Sequence, residues 1–370
     1  MIPVLHLITT LEAGGAQTML ANIVKGSHAS GRLRHVVVEM MEGGEFAARV
    51  RDSGAPVHSL GMKRGRASAA AVFRFVSLLR RERPAVVQTW LYHADLLGLL
   101  ALPVLRVPVV WNIRSSWHYG LKALAPRLCA RLSALPAAVI VNSEAGREVH
   151  QTLGYRPRRW CLIGNGFDLD VFKPDDQARV SVRAELGLDL RTPLVGLIGR
   201  WDPHKDHHTF LAGASLLKAR HPDVHFLLAG EGVTPSNSSI VRILAESGLG
   251  ACVHLLGSRT DVPRITAALD VAACTSVGEG FPNVVGEAMS AGVPCVSTDV
   301  GDAAALVGDR DMIVPSRDAE QLATAWCRLL SMDAGLRRKR GLEARARISA
   351  EYSLAAVVHQ YEALYRELAK

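Results

Sequence analysis

From Asp270 to Met289 the chain reads D-V-A-A-C-T-S-V-G-E-G-F-P-N-V-V-G-E-A-M. The short apolar run Val271–Thr275 predicts a buried strand, and Gly278, Gly280 and Pro282 break it into a loop. Asn283 is a suitable N-cap, and Val284, Val285, Ala288 and Met289 recur at helical spacing behind it. Glu279 therefore sits on the loop and Glu287 about one turn into the helix. Free backbone N–H groups at a helix start suit a phosphate or a sugar hydroxyl. This strand–loop–helix unit is the element from which doubly wound α/β folds are built.

The same alternation extends in both directions. Upstream, 3–9, 35–40, 57–60, 86–89, 109–113, 138–142 and 160–163 read as strands separated by periodic segments. After a charged stretch, 175–191, the pattern restarts at 194–199, 225–229, 253–256, 271–275, 295–298 and 312–314. The pattern predicts an α/β chain of two doubly wound, Rossmann-like domains, residues 1–175 and 176–350, with a final helical segment in 351–370. Open parallel sheets bind ligands at the carboxyl ends of their strands, so two facing domains are expected to define one cleft.

Of 370 residues, 49% are hydrophobic and 21% charged, which excludes a disordered or low-complexity chain. The start, Met1 to Leu11, lacks a basic n-region and runs into a strand-like segment, which predicts a cytoplasmic protein. The most apolar window, Leu96 to Trp111, is interrupted by Pro103, Arg106 and Pro108. Six cysteines show no C-x-x-C pair and are read as reduced thiols rather than disulfides or zinc ligands. Residues 1–175 hold 22 Lys and Arg against 12 Asp and Glu, whereas residues 176–370 hold 21 against 23. Lys63, Arg64, Arg66, Arg74, Arg80, Arg81 and Arg83 surround an apolar segment at 67–79. Such a segment is either a surface for anionic lipid or a core-packing helix with a solvated basic face. Without interleaved aromatics or a known binding module, nucleic acid is not expected as a partner.

Four features follow predicted strands. Gly14-Gly15 opens the first helix, where glycines let backbone N–H groups approach a phosphate or merely turn the chain. G-x-G-x-x-G is absent, so this is no dinucleotide fingerprint. His93, in W-L-Y-H-A-D, is either a proton or hydroxyl partner or a structural histidine. Arg200 and Lys205, in G-R-W-D-P-H-K, could both reach a diphosphate and neutralise charge on a departing nucleotide, or form a solvated basic loop. Glu279 and Glu287 could act as acid and base, as metal ligands, or as acceptors for hydroxyls. The triplets Asp168-Leu-Asp170 and Asp309-Arg-Asp311 lack a supporting ligand cluster, so no metal is expected.

Together these pieces resemble the retaining glycosyltransferases of family 4, which have the GT-B fold. The resemblance rests on Gly14-Gly15, Arg200 with Lys205, and above all Glu279-x7-Glu287. It is supported by V-N-S-E (141–144), I-G-N-G-F-D-L-D-V-F-K-P (163–174), L-A-G-E-G (228–232, with Gly230) and L-G-S-R-T-D-V-P (256–263). It implies an acceptor-binding first domain, a nucleotide-sugar-binding second domain, and a C-terminal helix crossing back to the first. By the same resemblance Glu287 accepts hydrogen bonds from the donor ribose, and Glu279 with the backbone of Gly280, Phe281, Pro282, Asn283 and Val284 holds the transferred sugar. Arg200 and Lys205 grip the diphosphate, Gly15 lies near it, His93 stands beside donor sugar and acceptor, and Ser258, Arg259 and Thr260 border the base. The family transfers by front-face attack, with no metal, cofactor or protein nucleophile. Three positions depart from its pattern: Asp206 replaces a glycine after the lysine, Gly301-Asp302 replaces Gly-Gly, and Ala305 replaces a glutamate. The last two lie in a loop near the donor and leave the donor sugar open.

The sequence thus reads as a hexosyltransferase moving a sugar from a nucleotide diphosphate sugar, with UDP as expected carrier, to a hydroxyl. The expected acceptor is a lipid-linked saccharide in bacterial exopolysaccharide, lipopolysaccharide or other envelope assembly, met at the inner face of the membrane. Acceptor selection falls to first-domain loops such as W-N-I-R-S-S-W-H-Y (111–119), where Arg114 and the aromatics either contact sugar or phosphate or pack. A sugar-nucleotide epimerase and a degenerate binding module are the rival readings. The Glu279-x7-Glu287 spacing argues against the first, and the intact charged residues against the second.

Overall fold

The computed structural model describes residues 1–12, 14–28, 31–44, 46–66, 68–114 and 124–370, so Ser115 to Tyr119 of the candidate acceptor loop lie outside the described residues. The apolar runs form strands β1 (Ile2–Ile8), β2 (Leu33–Glu39), β3 (Val57–Ser59), β4 (Val86–Trp90), β5 (Val109–Ile113), β6 (Ala138–Val141) and β7 (Trp160–Leu162). The second set is β8 (Leu194–Ile198), β9 (His225–Ala229), β10 (Val253–Leu255), β11 (Val271–Cys274), β12 (Cys295–Thr298) and β13 (Ile313–Val314). All pair in parallel, in the orders β3-β2-β1-β4-β5-β6-β7 and β10-β9-β8-β11-β12-β13. Each order reverses once, between β1 and β4 and between β8 and β11. At such a switch point the loops leaving neighbouring strands diverge to opposite faces and open a crevice.

The chain divides into two compact units, 1–166 with 354–370, and 167–353. The sequence reading starts the second domain at residue 176, but the structure starts it at Phe167. The reason lies in side chains. Phe167 stacks on Phe281 with centroids 6.1 Å apart, and Arg345 donates to the carbonyls of Leu169 (3.0 Å) and Phe172 (2.8 Å). The charged stretch at 175–191 is largely the helix Asp176–Glu185. Arg179 and the fully buried Arg183 clamp it to Asp270 at 2.8 and 2.7 Å. Arg337 adds a third guanidinium at 3.7 Å, and a buried carboxylate held in this way offsets its desolvation only while its cations remain, so losing one is costly.

In the first unit, alternation along β1 directs Val4 and Ile8 to one sheet face and Leu5 and Leu7 to the other. His6 is buried on the Val4 side. The Trp90 indole donates to His6 Nδ1 (3.3 Å), His6 Nε2 meets His35 Nδ1 (2.9 Å), and His35 Nε2 meets Ser27 Oγ (2.5 Å). Ser27 in turn donates to the Ile23 carbonyl (2.6 Å). An indole can only donate, so His6 carries its proton on Nε2 and His35 must do likewise. Burial lowers the pKa of both rings, that of His35 to about 4.

Helix Leu354–Leu368 packs in the first unit and covers this face with the buried Tyr361 and Tyr365. Ion pairs of Arg32 with Glu362 (3.4 Å) and Arg159 with Glu367 (2.5 Å) also anchor it. Among the described residues no helix is long and apolar enough to cross a membrane. All six cysteines carry free thiols.

Candidate active site

The second unit builds its site from loops following β8, β9, β11 and β12. Backbone bonds from Gly199 N to Ala229 O (2.8 Å) and Trp201 N to Glu231 O (2.7 Å) tie the first two together. Gly230 makes this approach possible: it adopts φ 154°, and a Cβ there would lie 2.2 Å from the Gly199 carbonyl oxygen. The tied loop leaves the Arg200 side chain 62% exposed, with Nε on Asp202 Oδ2 at 3.0 Å. The backbone N–H of His204 and the Arg200 guanidinium hold the Asp202 carboxyl below its ordinary range.

Lys205 follows and turns inward. Its Nζ lies 2.5 Å from Glu279 Oε1, which also accepts from Ser276 Oγ at 2.8 Å. The β8 and β11 loops are thus joined at the switch point. Thr275 Oγ1, donating to Lys205 O (2.8 Å), and Val277 N, donating to His204 O (2.8 Å), complete the seam. Asp206, unusual on family grounds, occupies a left-handed conformation (φ 48°) and caps the helix His207–Arg220 by accepting from Thr209 N. An aspartate tolerates that geometry better than most side chains, and here its carboxylate adds a cap.

On the β11 side the helix spans Asn283–Ser290, with Pro282 rather than Asn283 at the N-cap position. The proline ring fixes φ at −76° for helix entry, so Asn283 becomes the first helical residue and Val284 the second. Glu287 then stands one turn in. Burial pushes its carboxyl up to about 7, and Lys205 is the charge opposing that rise. The Phe281 ring is buried against Phe167 and Tyr352, so only its backbone is free to meet a ligand. Gly301 at φ 54° braces the loop from the β12 side, where a Cβ would stand 2.4 Å from the carbonyl oxygens of Glu279 and Gly280. Asp302 N donates to Gly280 O at 3.0 Å. Ser258 and Thr260 are exposed after β10, but Arg259 is committed to Asp261 (2.8 Å) and Glu185 (2.6 Å). The two acid triplets are turn and pairing devices. Asp168 Oδ1 accepts from the Asp170 and Val171 N–H groups, and Asp309 pairs with Arg340.

The first unit places its candidates after β1, β4 and β5. Gly14 and Gly15 are exposed at the start of helix Gly15–His28. His93 is exposed in helix Tyr92–Gly98. The turn before it is strained, with Leu91 at φ 74° and ψ 150°, a conformation that costs about 1–3 kcal/mol unless its surroundings hold it. Those surroundings are Tyr92 OH against His150 Nε2 (2.9 Å) and Thr89 Oγ1 donating to the buried Asp95 (2.5 Å). Burial raises the Asp95 carboxyl well above its usual value. Arg114 ends β5. It donates to Tyr361 OH (3.3 Å), Asn112 Oδ1 (3.5 Å) and Asn165 Oδ1.

Sequence reasoning missed Ser276, Asp95, Asn112, Asn165 and Tyr361. Ser276 lies three residues before Glu279 on the same loop and was legible there. Tyr361 was not, because its partner is 247 residues distant.

The chain matches a family described as Glycosyltransferase Family 4 over residues 13–171 and one described as Glycosyl transferases group 1 over residues 192–332. It is 34% identical over 239 residues to D-inositol 3-phosphate glycosyltransferases of Mycobacterium bovis and Mycobacterium tuberculosis, an overlap of 62% of this chain and 48% of theirs. The chain thus spans about half the length of these curated relatives. Among solved structures, HepE of Anabaena in complex with UDP and glucose superposes with a TM-score of 0.84 at 23% identity, covering 99% of this chain and 100% of that one. The sucrose-phosphate synthase of Thermosynechococcus elongatus superposes at 0.81 with 20% identity, covering 100% and 99%. Matched in order through both parallel-sheet units, the chain belongs to family 4 of the glycosyltransferases and has the GT-B fold.

Proposed function

We propose that the protein is a retaining glycosyltransferase that takes a sugar from a UDP-linked donor to a hydroxyl of a lipid-linked saccharide in bacterial envelope or polysaccharide assembly. The observation carrying this reading is the Lys205–Glu279 pair at the β8/β11 switch point, with Glu287 one turn beyond. A diphosphate competes with Glu279 for Lys205, and Arg200 is exposed to join it. Glu279, released and still fixed by Ser276, then accepts from hydroxyls of the transferred sugar. Glu287, as carboxylate, accepts from the ribose. UDP in HepE, a protein of the same fold, supports that carrier.

In the reaction the bond from the anomeric carbon to the β-phosphate oxygen breaks while a bond to the acceptor oxygen forms on the same face. The acceptor proton passes to the departing phosphate oxygen. Arg200 and Lys205 stabilise the charge that develops there, which is where fixed cations do most. His93 and Arg114 are assigned to the acceptor side, and Gly14 and Gly15 to a phosphate. No divalent metal takes part in this scheme; transfer that survives chelation supports it, and activity that needs added Mg2+ or Mn2+ overturns it.

Contact with anionic membrane is part of the proposal. The basic side of helix Ala69–Glu82 carries exposed Arg80 and Arg81 and bares Phe73 (73%) and Val72 (40%) to solvent. Binding to anionic vesicles is expected to weaken with salt, and indifference to lipid charge and salt would remove this part. The whole reading is tested by incubating the chain with UDP-sugars and following free UDP with and without a membrane extract. Acceptor-dependent UDP release that is lost in Lys205→Ala is expected. Release that ignores the extract, or conversion of the donor sugar without release, overturns the assignment.

A further inference from the structure

Among the described residues Arg114 is a cation without a counter-charge. Its three acceptors, Tyr361 OH, Asn112 Oδ1 and Asn165 Oδ1, are all neutral, and no carboxylate of the described residues lies within ion-pair distance. Residues 115–123, which follow it, contain no Asp or Glu. The guanidinium lies 5.8 Å from the Trp90 ring, and the Tyr361 hydroxyl beneath it also accepts from Asn112 Nδ2 (3.0 Å). The side chain is thus held on three sides by elements far apart in sequence. Burial draws its pKa down from the usual arginine value, opposed by Tyr361.

A guanidinium has five N–H donors, and these neutral acceptors engage at most three. Arg114 keeps part of its surface open to solvent. Burying a charge is expensive unless an opposite charge completes it, and a planar fork with free donors matches a tetrahedral oxyanion in two-point contact. Its place at the carboxyl end of β5 is where an open sheet receives ligands.

We infer that Arg114 is a specificity residue for the acceptor, whose phosphate, borne within reach of the accepting sugar, completes the charge at this site. The inference rests on the glycosyl-transfer reading above. Two sources share this chemistry, a water-soluble sugar phosphate and a lipid diphosphate carrying a saccharide.

Binding and turnover separate its failure from failure of that reading. With UDP saturating the donor site, calorimetric titration of the full chain with inorganic pyrophosphate is expected to show one further site, weakened at least tenfold in Arg114→Gln and less in Arg114→Lys. UDP affinity should stay within twofold in both variants, which also reports that they fold. In turnover, Arg114→Gln should raise KM at least tenfold for whichever of a glycosyl phosphate and a polyprenyl-diphosphate-linked saccharide is used, leaving KM for the UDP-sugar unchanged. The preferred substrate identifies the source. Absence of the second pyrophosphate site in the wild-type chain, or an equal loss of UDP affinity in Arg114→Gln, overturns the inference, the latter by moving Arg114 to the donor. An uncharged or carboxylate-bearing acceptor whose KM depends on Arg114 overturns it too. If pyrophosphate binds through Arg114 but no acceptor releases UDP, the site stands and the transferase reading falls.

Discussion

The two units handle charge in opposite ways. In the second unit Lys205 and Glu279 neutralise each other at 2.5 Å, and Arg200 leans on Asp202. In the first, Arg114 is held by a phenol and two amides. A site that carries its own counter-ions can exchange one partner for a ligand at modest cost, because the ligand replaces an interaction already present. A site whose cation has only neutral supports is incomplete until an anion arrives. On the proposed assignment of the two sites, the donor side recognises by substitution and the acceptor side by completion.

The sharpest way to break this contrast is to disable the donor seam. Lys205→Ala is expected to lower kcat/KM by about 10²–10³-fold, or about 2.7–4 kcal/mol, the scale seen for removing one preorganised donor. Glu279→Gln should cost a similar amount. The double variant should lose less than the sum, because the residues share a hydrogen bond and a ligand. Additive losses would show that the 2.5 Å pair has no bearing on transfer.

A second test concerns the neutral interior of the first unit. The His35 pKa is lowered from 6.5 to about 4 in the folded chain, so the unfolded ring takes up a proton first as acid is added. Stability is full above about pH 6.5 and declines as pH falls towards about 4, by about 3 kcal/mol. Denaturant unfolding at stepped pH measures this, and a ring resonance of His35 that titrates near pH 6.5 in the native protein would contradict it.

Next in size is Gly301→Ala. It places a methyl 2.4 Å from two carbonyl oxygens at a positive φ, and is expected to cost about 1–3 kcal/mol. Thermal unfolding should show the loss, together with a raised KM for the UDP-sugar because the Glu279 loop has shifted. Smallest is the titration of Glu287. With its carboxyl pushed up to about 7 and the ionised form accepting ribose hydroxyls, UDP-sugar affinity should rise about tenfold from pH 6 to pH 8. Glu287→Gln should flatten that profile.

Much of this was legible in the sequence because the signals are local. Most strands are apolar runs bounded by turn formers, and the Glu279-x7-Glu287 spacing sets one carboxylate on a loop and the other on a helix. What was not legible depends on side chains meeting over long separations. Phe167 belongs to the second unit because Phe281 and Gly286 receive its ring, and nothing near residue 167 announces them. Arg259 reads as a ligand residue until Glu185 and Asp261 take its donors. Asp206 reads as a departure until its left-handed backbone and its cap on Thr209 are seen.

The return of helix Leu354–Leu368 to the first unit has a consequence for biosynthesis. Tyr361 and Tyr365 complete the face that buries Trp90 and His6, yet they leave the ribosome only after residues 167–353. At about 5–20 residues per second that interval lasts on the order of 10–40 s, during which the second unit, a continuous stretch of chain, can fold alone. The nascent first unit meanwhile exposes an aromatic, histidine-bearing sheet face to whatever else is in reach. A chaperone that binds apolar surface would find its footing there, and would have to let go when one helix arrives.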